Sequence, residues 1–188
     1  MQRNIMIVGV GGQGTLLASR ILGNLLVARG YDVKVSEVHG MSQRGGSVVT
    51  YVKYGDKIYS PIIDKGEADI ILAFERLEAL RALPYLKTGG TMIVNDRAML
   101  PMPVITGAAE YPEGIIEELS RHASVKSLDA LQIAQGVGSA KAVNVVLIGV
   151  LAANTDIPKE AWEEAIRATV PPKFLDINLA AFEKGYTL

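Results

Sequence analysis

Residues 4–14 read NIMIVGVGGQG, and this stretch decides the fold class. Residues 4–10 are apolar on both faces, which is typical of a strand covered on both sides in a parallel sheet. A glycine turn follows, and residues 15–29 then carry apolar side chains at helical spacing up to Gly30, a residue type that commonly ends helices. Residues 32–38 predict a second strand. The stretch therefore opens a strand–helix–strand unit of about 30 residues.

The rest of the chain continues this alternation. Strands are predicted at 70–74, 91–95 and 125–128, and helices at 75–86, 113–123, 130–135, 140–154, 159–169 and 175–184. Residues 47–54 and 57–63 flank a Gly55-Asp56 turn, which predicts an antiparallel hairpin. The proline-rich segment 96–112 is expected to be mostly loop, with Val104 and Ile105 extended. We expect one domain over residues 1–188, of class α/β: a Rossmann-like, doubly wound, mostly parallel sheet with a β-hairpin insertion and a helical C-terminal third.

Composition excludes several kinds of site. The 188 residues contain no cysteine and only two histidines, His39 and His122. A disulfide, a cysteine nucleophile, a cysteine-ligated iron–sulfur cluster and a three-histidine zinc site are therefore excluded in this chain. The formal net charge of -1 argues against binding to nucleic acid or to an anionic membrane surface. A redox centre must be a bound cofactor or must lie on another chain.

Hydropathy suggests a partner. The chain is 49% hydrophobic and its mean hydropathy is +0.24, which is high for a soluble domain. Its longest nearly apolar run, 142–153, is interrupted by Asn144 and is shorter than the ~20 residues of a membrane-spanning helix. The first residues show no signal-peptide pattern. We expect a cytoplasmic protein whose excess apolar surface, to which helices such as 142–153 contribute, is buried against a partner, with self-association when the partner is missing.

The glycine turn has the spacing of the dinucleotide-binding fingerprint, Gly-x-Gly-x-x-Gly, between a predicted strand and a predicted helix. Such glycines let a pyrophosphate approach backbone N–H groups at a helix N-terminus. Glu37, near the end of the second strand, is the candidate ribose partner. Alternatively, the glycines only allow a strand and a helix to cross closely. The candidate binding residues of the turn are Gly9, Gly11, Gly12, Gln13 and Gly14.

A second candidate segment is the loop 39–46, HGMSQRGG. It leaves the carboxyl end of a strand, where open α/β sheets bind ligands. Arg44 can present a bidentate guanidinium to a phosphate or carboxylate, although a solvated loop arginine is the alternative. His39 shares a strand face with Glu37, but a histidine with no established partner is usually structural. His39 and Arg44 are the candidate catalytic residues, and the candidate ligand-binding residues of the loop are Ser42, Gln43, Arg44, Gly45 and Gly46.

Other polar residues carry less weight. Asn95-Asp96-Arg97 ends a predicted strand at the presumed ligand edge. Lys141 and Asn144 open an apolar helix, where they can face a ligand or a partner, although helix capping and solvent contact are more common roles.

Two segments together carry a resemblance to a known family. Residues 9–14 (GVGGQG), followed by residues 37–46 (EVHGMSQRGG), resemble the gamma-type domain of 2-oxoacid:ferredoxin oxidoreductases, most closely the indolepyruvate type. Residues 170–186 (VPPKFLDINLAAFEKGY) are similar to the end of those subunits. The resemblance therefore extends over essentially the whole chain.

The resemblance implies a reaction and its partners. Enzymes of this family decarboxylate a 2-oxoacid on thiamine diphosphate with Mg²⁺, pass two electrons through iron–sulfur clusters to ferredoxin and release an acyl-CoA. It implies that a large partner subunit carries the thiamine diphosphate and the clusters, and that CoA is a co-substrate. It implies that this chain binds no cofactor alone, meets ferredoxin only indirectly, acts on an aryl pyruvate such as indolepyruvate, and is inert without the large subunit.

Two other functions remain open on sequence grounds. An independent Rossmann oxidoreductase would bind a dinucleotide at the glycine turn, with Glu37 on the ribose. A non-catalytic assembly module would only stabilise the large subunit. We expect no useful affinity for NAD or NADP, and a clear rise in melting temperature with either nucleotide would favour the first alternative.

Overall fold

The computed structural model describes residues 2–39 and 45–188, in which six strands form one sheet. The strands are β1 (Arg3–Val10), β2 (Asp32–His39), β3 (Ser47–Gly55), β4 (Ala68–Ala73), β5 (Leu86–Asn95) and β6 (Ser124–Leu128). The helices are α1 (Thr15–Ala28), α2 (Arg76–Ala82), α3 (Met102–Ile105), α4 (Ile115–His122), α5 (Ala130–Gly136), α6 (Val143–Ala153), α7 (Lys159–Thr169) and α8 (Leu175–Tyr186).

The strand order is β2-β3-β1-β4-β5-β6. β1, β4, β5 and β6 pair in parallel, whereas β3 is antiparallel to both of its neighbours, β1 and β2. Five strands therefore run in one direction and only β3 opposes them. This arrangement confirms the predicted α/β fold with a mostly parallel sheet.

Helices cover both faces of the sheet. Alternate residues of β1 point to opposite sides, with Ile5 and Ile7 in one hydrophobic core and Met6 and Val8 in the other. The first core is closed by α1 and by the C-terminal helices α5 to α8, and the second by α2 and α4. Burial on both faces explains why the β1 sequence is apolar at every position from residue 5 to residue 8.

The position of the hairpin differs from the sequence prediction. Residues 57–63 form no strand, because both edges of β3 are already paired, one with β2 and the other with β1. Side chains bind the segment instead: Ile58 N donates to Asp32 Oδ2 at 2.8 Å, and Lys53 Nζ donates to the Ile62 carbonyl at 2.7 Å. The antiparallel hairpin of this fold is β2–β3.

Two further boundaries were predicted wrongly. Val104 and Ile105 belong to the short helix α3 and are not extended. Helix 75–86 is shorter than predicted, since α2 ends at Ala82 and β5 already begins at Leu86. A 3-10 turn that contains Pro84 separates the two elements, because proline cannot donate the hydrogen bond that would continue the helix.

Helix α6 is buried within its own chain, so the prediction that it supplies the partner surface is wrong. Residues 144–152 are all buried, and α6 packs closely on α8. Gly149 and Gly185 allow the close approach, since a Cβ on Gly185 would lie 2.0 Å from the Val146 carbonyl oxygen. The all-round apolar character of this helix therefore reflects the interior of one molecule.

Within the described ranges, no helix has both the length and the apolar character that crossing a bilayer requires.

Candidate ligand-binding site

A pocket of about 490 Å³ lies at the carboxyl edge of the sheet, where β1, β4 and β5 end. After β1 the chain continues through α1 to β2, toward one end of the sheet. After β4 it continues through α2 to β5, toward the opposite end. The pocket therefore lies at the switch point of the topology, where open α/β sheets bind ligands. It is lined by Gly11, Gly12, Gln13, Gly14, Phe74, Asn95, Arg97, Met99, Ala140, Lys141, Val143 and Asn144.

The glycine turn forms one wall of this pocket. Gly12 and Gly14 have φ values of 98° and 86°, in the left-handed region that glycine adopts without strain. A Cβ on Gly9 would lie 2.8 Å from Gln13 Oε1 and 2.9 Å from Phe74 Cβ, so a larger residue does not fit there. Among the residues that the structure describes, the N–H groups of Gly12 and Gly14 have no acceptor. The turn thus offers backbone donors to an anion at the N-terminus of α1.

The Gln13 side chain fixes the turn. Its Oε1 accepts a hydrogen bond from Val10 N at 2.7 Å, and its Nε2 donates to the Phe74 carbonyl at 3.1 Å. These two bonds tie the end of β1 to the residue after β4. Gln13 lies in the pocket wall, where its side-chain amide acts as a positioning group, and its predicted role in ligand binding stays a prediction.

The structure joins the two glycine-containing segments that the sequence singled out. Gly11 N donates to the Gly46 carbonyl at 2.9 Å, and Gly45 N donates to the Gly11 carbonyl at 3.5 Å. The next residue, Ser47, donates its hydroxyl to the buried Glu78 carboxylate at 2.6 Å. The end of the second segment is therefore held against the turn.

Asn95 extends the same network from the end of β5. Its buried side chain donates from Nδ2 to the Phe74 carbonyl at 3.1 Å, the same carbonyl that Gln13 binds. Its Oδ1 accepts from Ala130 N, at the start of α5, at 3.1 Å. One carbonyl and two side-chain amides thus hold the ends of three strands together, which makes the pocket wall rigid.

The charges around the pocket favour an anion. Residues at the N-termini of α1 and α6 both line it, and helix N-termini carry partial positive charge. The exposed side chains of Arg97 and Lys141 lie at the same pocket, and neither forms an ion pair within the described parts of the chain. Two helix N-termini and two cations suit a phosphate or a carboxylate.

Glu37 does not lie beside the glycine turn in the manner of a dinucleotide site. The register pairs Glu37 with Thr50, and Thr50 with Ile7 of β1. Because β3 lies between β1 and β2, two strand spacings, about 10 Å, separate the Glu37 backbone from β1. In the dinucleotide-binding fold the ribose-binding acid follows the strand adjacent to β1. Here that neighbouring strand is the antiparallel β3.

Several predicted site residues lie outside the described part of the chain. These are Ser42, Gln43 and Arg44, together with the side chain of His39, whose backbone ends β2. Their roles in binding or catalysis stay predictions.

Four residues with little weight in the sequence analysis line the pocket wall, namely Asn95, Arg97, Lys141 and Asn144. One of them carried a signal that could have been used. Asn144 is the only polar residue of the α6 sequence VNVVLIGVLAA, and a polar side chain inside a buried apolar helix needs a hydrogen-bonding partner.

A buried carboxylate supports the rim of the pocket. Glu75 caps α2 by accepting from Glu78 N at 2.9 Å, and it also accepts from Met99 N at 3.0 Å and from the Tyr111 hydroxyl. Burial and this hydrogen bond raise the pKa of the Tyr111 hydroxyl above its usual range. This cluster fixes Met99 in the pocket wall. No sequence motif predicted the cluster.

The described residues of this chain do not fit the metal-containing groups of 2-oxoacid oxidoreductases. Iron–sulfur clusters are held mainly by cysteine thiolates, and the chain has no cysteine. Within residues 2–39 and 45–188, no group of three or more His, Asp or Glu side chains is arranged to hold a metal ion. The described pocket residues offer backbone donors and two cationic side chains instead.

The chain matches one family model and is similar over nearly its full length to subunits of known enzymes. Residues 4–188 match the family model described as pyruvate ferredoxin/flavodoxin oxidoreductase. The chain is 45% identical over 189 residues to the indolepyruvate oxidoreductase subunit IorB of Thermococcus kodakarensis, covering 97% of this chain and 93% of that protein. It is 31% identical over 199 residues to the 2-oxoglutarate synthase subunit KorC of Methanothermobacter marburgensis, covering 100% and 97%.

A solved structure shares the fold. The gamma subunit of a keto/oxoacid ferredoxin oxidoreductase from Geobacter sulfurreducens PCA superposes with a TM-score of 0.74 at 25% identity, covering 98% of this chain and 96% of that chain. The family resemblance inferred from the glycine turn and the loop behind it is thereby confirmed. The chain belongs to the pyruvate ferredoxin/flavodoxin oxidoreductase family.

Proposed function

We propose that this chain is the small subunit of a 2-oxoacid:ferredoxin oxidoreductase that oxidatively decarboxylates indolepyruvate or a related aryl pyruvate to an acyl-CoA. The observation that carries the proposal is the 45% identity to an IorB subunit over 97% of the chain. Identity to the 2-oxoglutarate-type subunit KorC is lower, 31%, over a similar length. The difference favours an aryl pyruvate over 2-oxoglutarate.

The pocket at the switch point is the contribution of this chain to the reaction. Its free backbone donors, its two helix N-termini, Arg97 and Lys141 suit an anionic group of a reactant. Candidate groups are the phosphates of CoA, the carboxylate of the 2-oxoacid, and the diphosphate of thiamine diphosphate held by the large subunit. The candidate residues Ser42, Gln43 and Arg44 belong to the segment whose end, Gly45 and Gly46, is bonded to the glycine turn.

The large subunit is proposed to hold thiamine diphosphate, Mg²⁺ and the iron–sulfur clusters, and to pass electrons to ferredoxin. The absence of cysteine from this chain supports the placement of the iron–sulfur clusters on the large subunit. The relatives are themselves named as subunits, which supports a multi-subunit enzyme. We place the assembled enzyme in the cytoplasm.

An independent dinucleotide-binding oxidoreductase is not favoured. The insertion of β3 between β1 and β2 moves Glu37 one strand further from the glycine turn than a ribose-binding acid would lie. Millimolar NAD or NADP should therefore leave the melting temperature of the chain unchanged, whereas a ligand at ~100 times its dissociation constant would stabilise the fold by about 2.7 kcal/mol.

Co-expression tests the proposal. The chain is produced together with a large thiamine diphosphate and iron–sulfur subunit of an indolepyruvate oxidoreductase, and dye reduction is followed with indolepyruvate, phenylpyruvate, pyruvate and 2-oxoglutarate, each with CoA. We expect activity only in the two-subunit complex, with kcat/KM for the aryl pyruvates at least about tenfold above that for the other substrates. Equal activity of the large subunit alone would reduce this chain to an assembly module, and preference for 2-oxoglutarate would refute the substrate assignment.

A further inference from the structure

Asn144 has a buried hydrogen-bond acceptor without a partner. Its side chain lines the switch-point pocket, the residue is 6% exposed, and its Oδ1 has no partner among the described residues. A buried polar atom left unpaired is costly and uncommon in native proteins. The Oδ1 atom itself is buried.

The other end of the same amide is only weakly held. Nδ2 donates to the Gly14 carbonyl at 3.4 Å, close to the limit for a hydrogen bond. That carbonyl also accepts from Leu17 N at 3.2 Å and from Ala18 N at 3.3 Å, so it stays paired if the amide turns away. Rotation about χ2 of an asparagine is a soft motion. Turning the amide toward the pocket therefore breaks little.

The placement of Oδ1 and Nδ2 follows from this geometry. Exchanging the two atoms would set Oδ1 against the Gly14 carbonyl oxygen, and two acceptors would then face each other. Turned toward the pocket, the amide offers an acceptor next to backbone donors and two cationic side chains that suit an anion.

We propose that Asn144 is a specificity-determining residue of this pocket, which accepts a hydrogen bond from an N–H or O–H group of an anionic occupant. The inference rests on the proposed anion site. It restricts the occupant to a molecule with a donor close to its phosphate or carboxylate, such as the hydroxyl or amide groups of a phosphorylated cofactor, and it disfavours a bare inorganic anion.

Two probes separate the two parts of the site. CoA carries phosphates together with hydroxyl, amide and amine donors, whereas inorganic pyrophosphate at pH 8.5 carries the anion with few donors. Binding of each to the full chain is measured by calorimetry for wild type and for Asn144→Leu. Asn144→Ala is measured beside it, because alanine keeps the helix if leucine does not pack. Asn178→Leu is the matched control, since Asn178 is also buried but lies on α8, outside the pocket wall.

We expect Asn144→Leu to weaken CoA binding by about 3- to 10-fold and to leave pyrophosphate binding within about 2-fold, as loss of one neutral hydrogen bond requires. The ligand-free variant should melt at or above the wild-type temperature, because an unpaired buried acceptor has been removed. A residue with only a structural role would instead lower the melting temperature. Asn178→Leu should leave the affinity for both probes unchanged.

The proposal is overturned if CoA affinity is unchanged in Asn144→Leu and Asn144→Ala, if both probes weaken equally, or if wild type binds neither. These outcomes do not depend on turnover. A complex that binds CoA through Asn144 and yet reduces no dye with any 2-oxoacid would refute the proposed function and leave this inference standing.

Discussion

Replacing Gly149 by alanine in the middle of α6 should destabilise the protein, although alanine is the better helix former. The new Cβ would lie 2.2 Å from the Phe182 carbonyl oxygen and 2.7 Å from Tyr186 N, both backbone atoms of α8. A backbone atom cannot move aside by changing a rotamer. The two helices would have to separate by about 1 Å to restore ordinary contact distances.

The magnitude follows from two opposing effects. Overpacking of a core costs about 1–3 kcal/mol, and a backbone contact this short lies at the upper end of that range. The gain in helix propensity from Gly to Ala, about 1 kcal/mol, offsets part of it. We expect a net loss of about 2 kcal/mol in the free energy of unfolding, which for a domain of this size lowers the melting temperature by roughly 4–8 °C.

Gly23→Ala is the matched control within α1. No atom lies within 4 Å of a Cβ built on Gly23, so only the propensity gain remains, about 0.5–1 kcal/mol of stabilisation. Thermal and urea unfolding followed by circular dichroism measure both variants. Opposite signs for the two changes support the close packing of α6 on α8. A Gly149→Ala protein that unfolds at or above the wild-type temperature would refute it.

Three other predictions concern the site and its support. Burial and Glu75 raise the pKa of Tyr111 in the folded state, so its stabilisation is complete below the unfolded pKa of about 10 and is lost as pH rises above it. The free energy of unfolding, measured with urea between pH about 9.5 and 11, should therefore fall more steeply for wild type than for Tyr111→Phe, and equal slopes would contradict this. Arg97→Ala and Lys141→Ala should each weaken pyrophosphate binding by about 5-fold in calorimetry, whereas Arg167→Ala on α7, outside the pocket wall, should not. Arg44→Ala should lower kcat/KM of the reconstituted enzyme by roughly 10- to 150-fold, and Arg44→Lys should recover part of this loss. The free energy of unfolding should change by no more than about 0.5 kcal/mol. Unaltered activity at normal subunit composition would remove Arg44 from the site, and lost assembly would make it an interface residue.

The glycine turn illustrates how far local sequence reaches. An apolar run, a set of glycines and a helical repeat follow each other within 30 residues, and each is set by backbone and solvation preferences of neighbouring residues. The strand, turn and helix at the start of the chain were therefore predicted with nearly their observed bounds, β1 at Arg3–Val10 and α1 at Thr15–Ala28.

The hairpin shows where local reasoning fails. Residues 47–54 and 57–63 flank a good turn, but a strand pairs with whichever edge is free in the folded sheet. The chain directs β2 and β1 to the two edges of β3, so residues 57–63 are bound by the side chains of Asp32 and Lys53 instead. The same choice moved Glu37 away from the glycine turn, which no count of residues between them could reveal.

The sequence by itself determined the fold class, the family and the position of the glycine turn, because these depend on residues that are close together in the chain. Only the tertiary structure decided that β3 separates β1 from β2, that α6 is buried in its own chain, and that Arg97, Lys141 and Asn144 share a pocket with residues 11–14. These contacts join residues up to 130 positions apart. Which strand edges pair and which helix faces pack is decided among all elements of the fold at once. The propensities of neighbouring residues do not determine that choice.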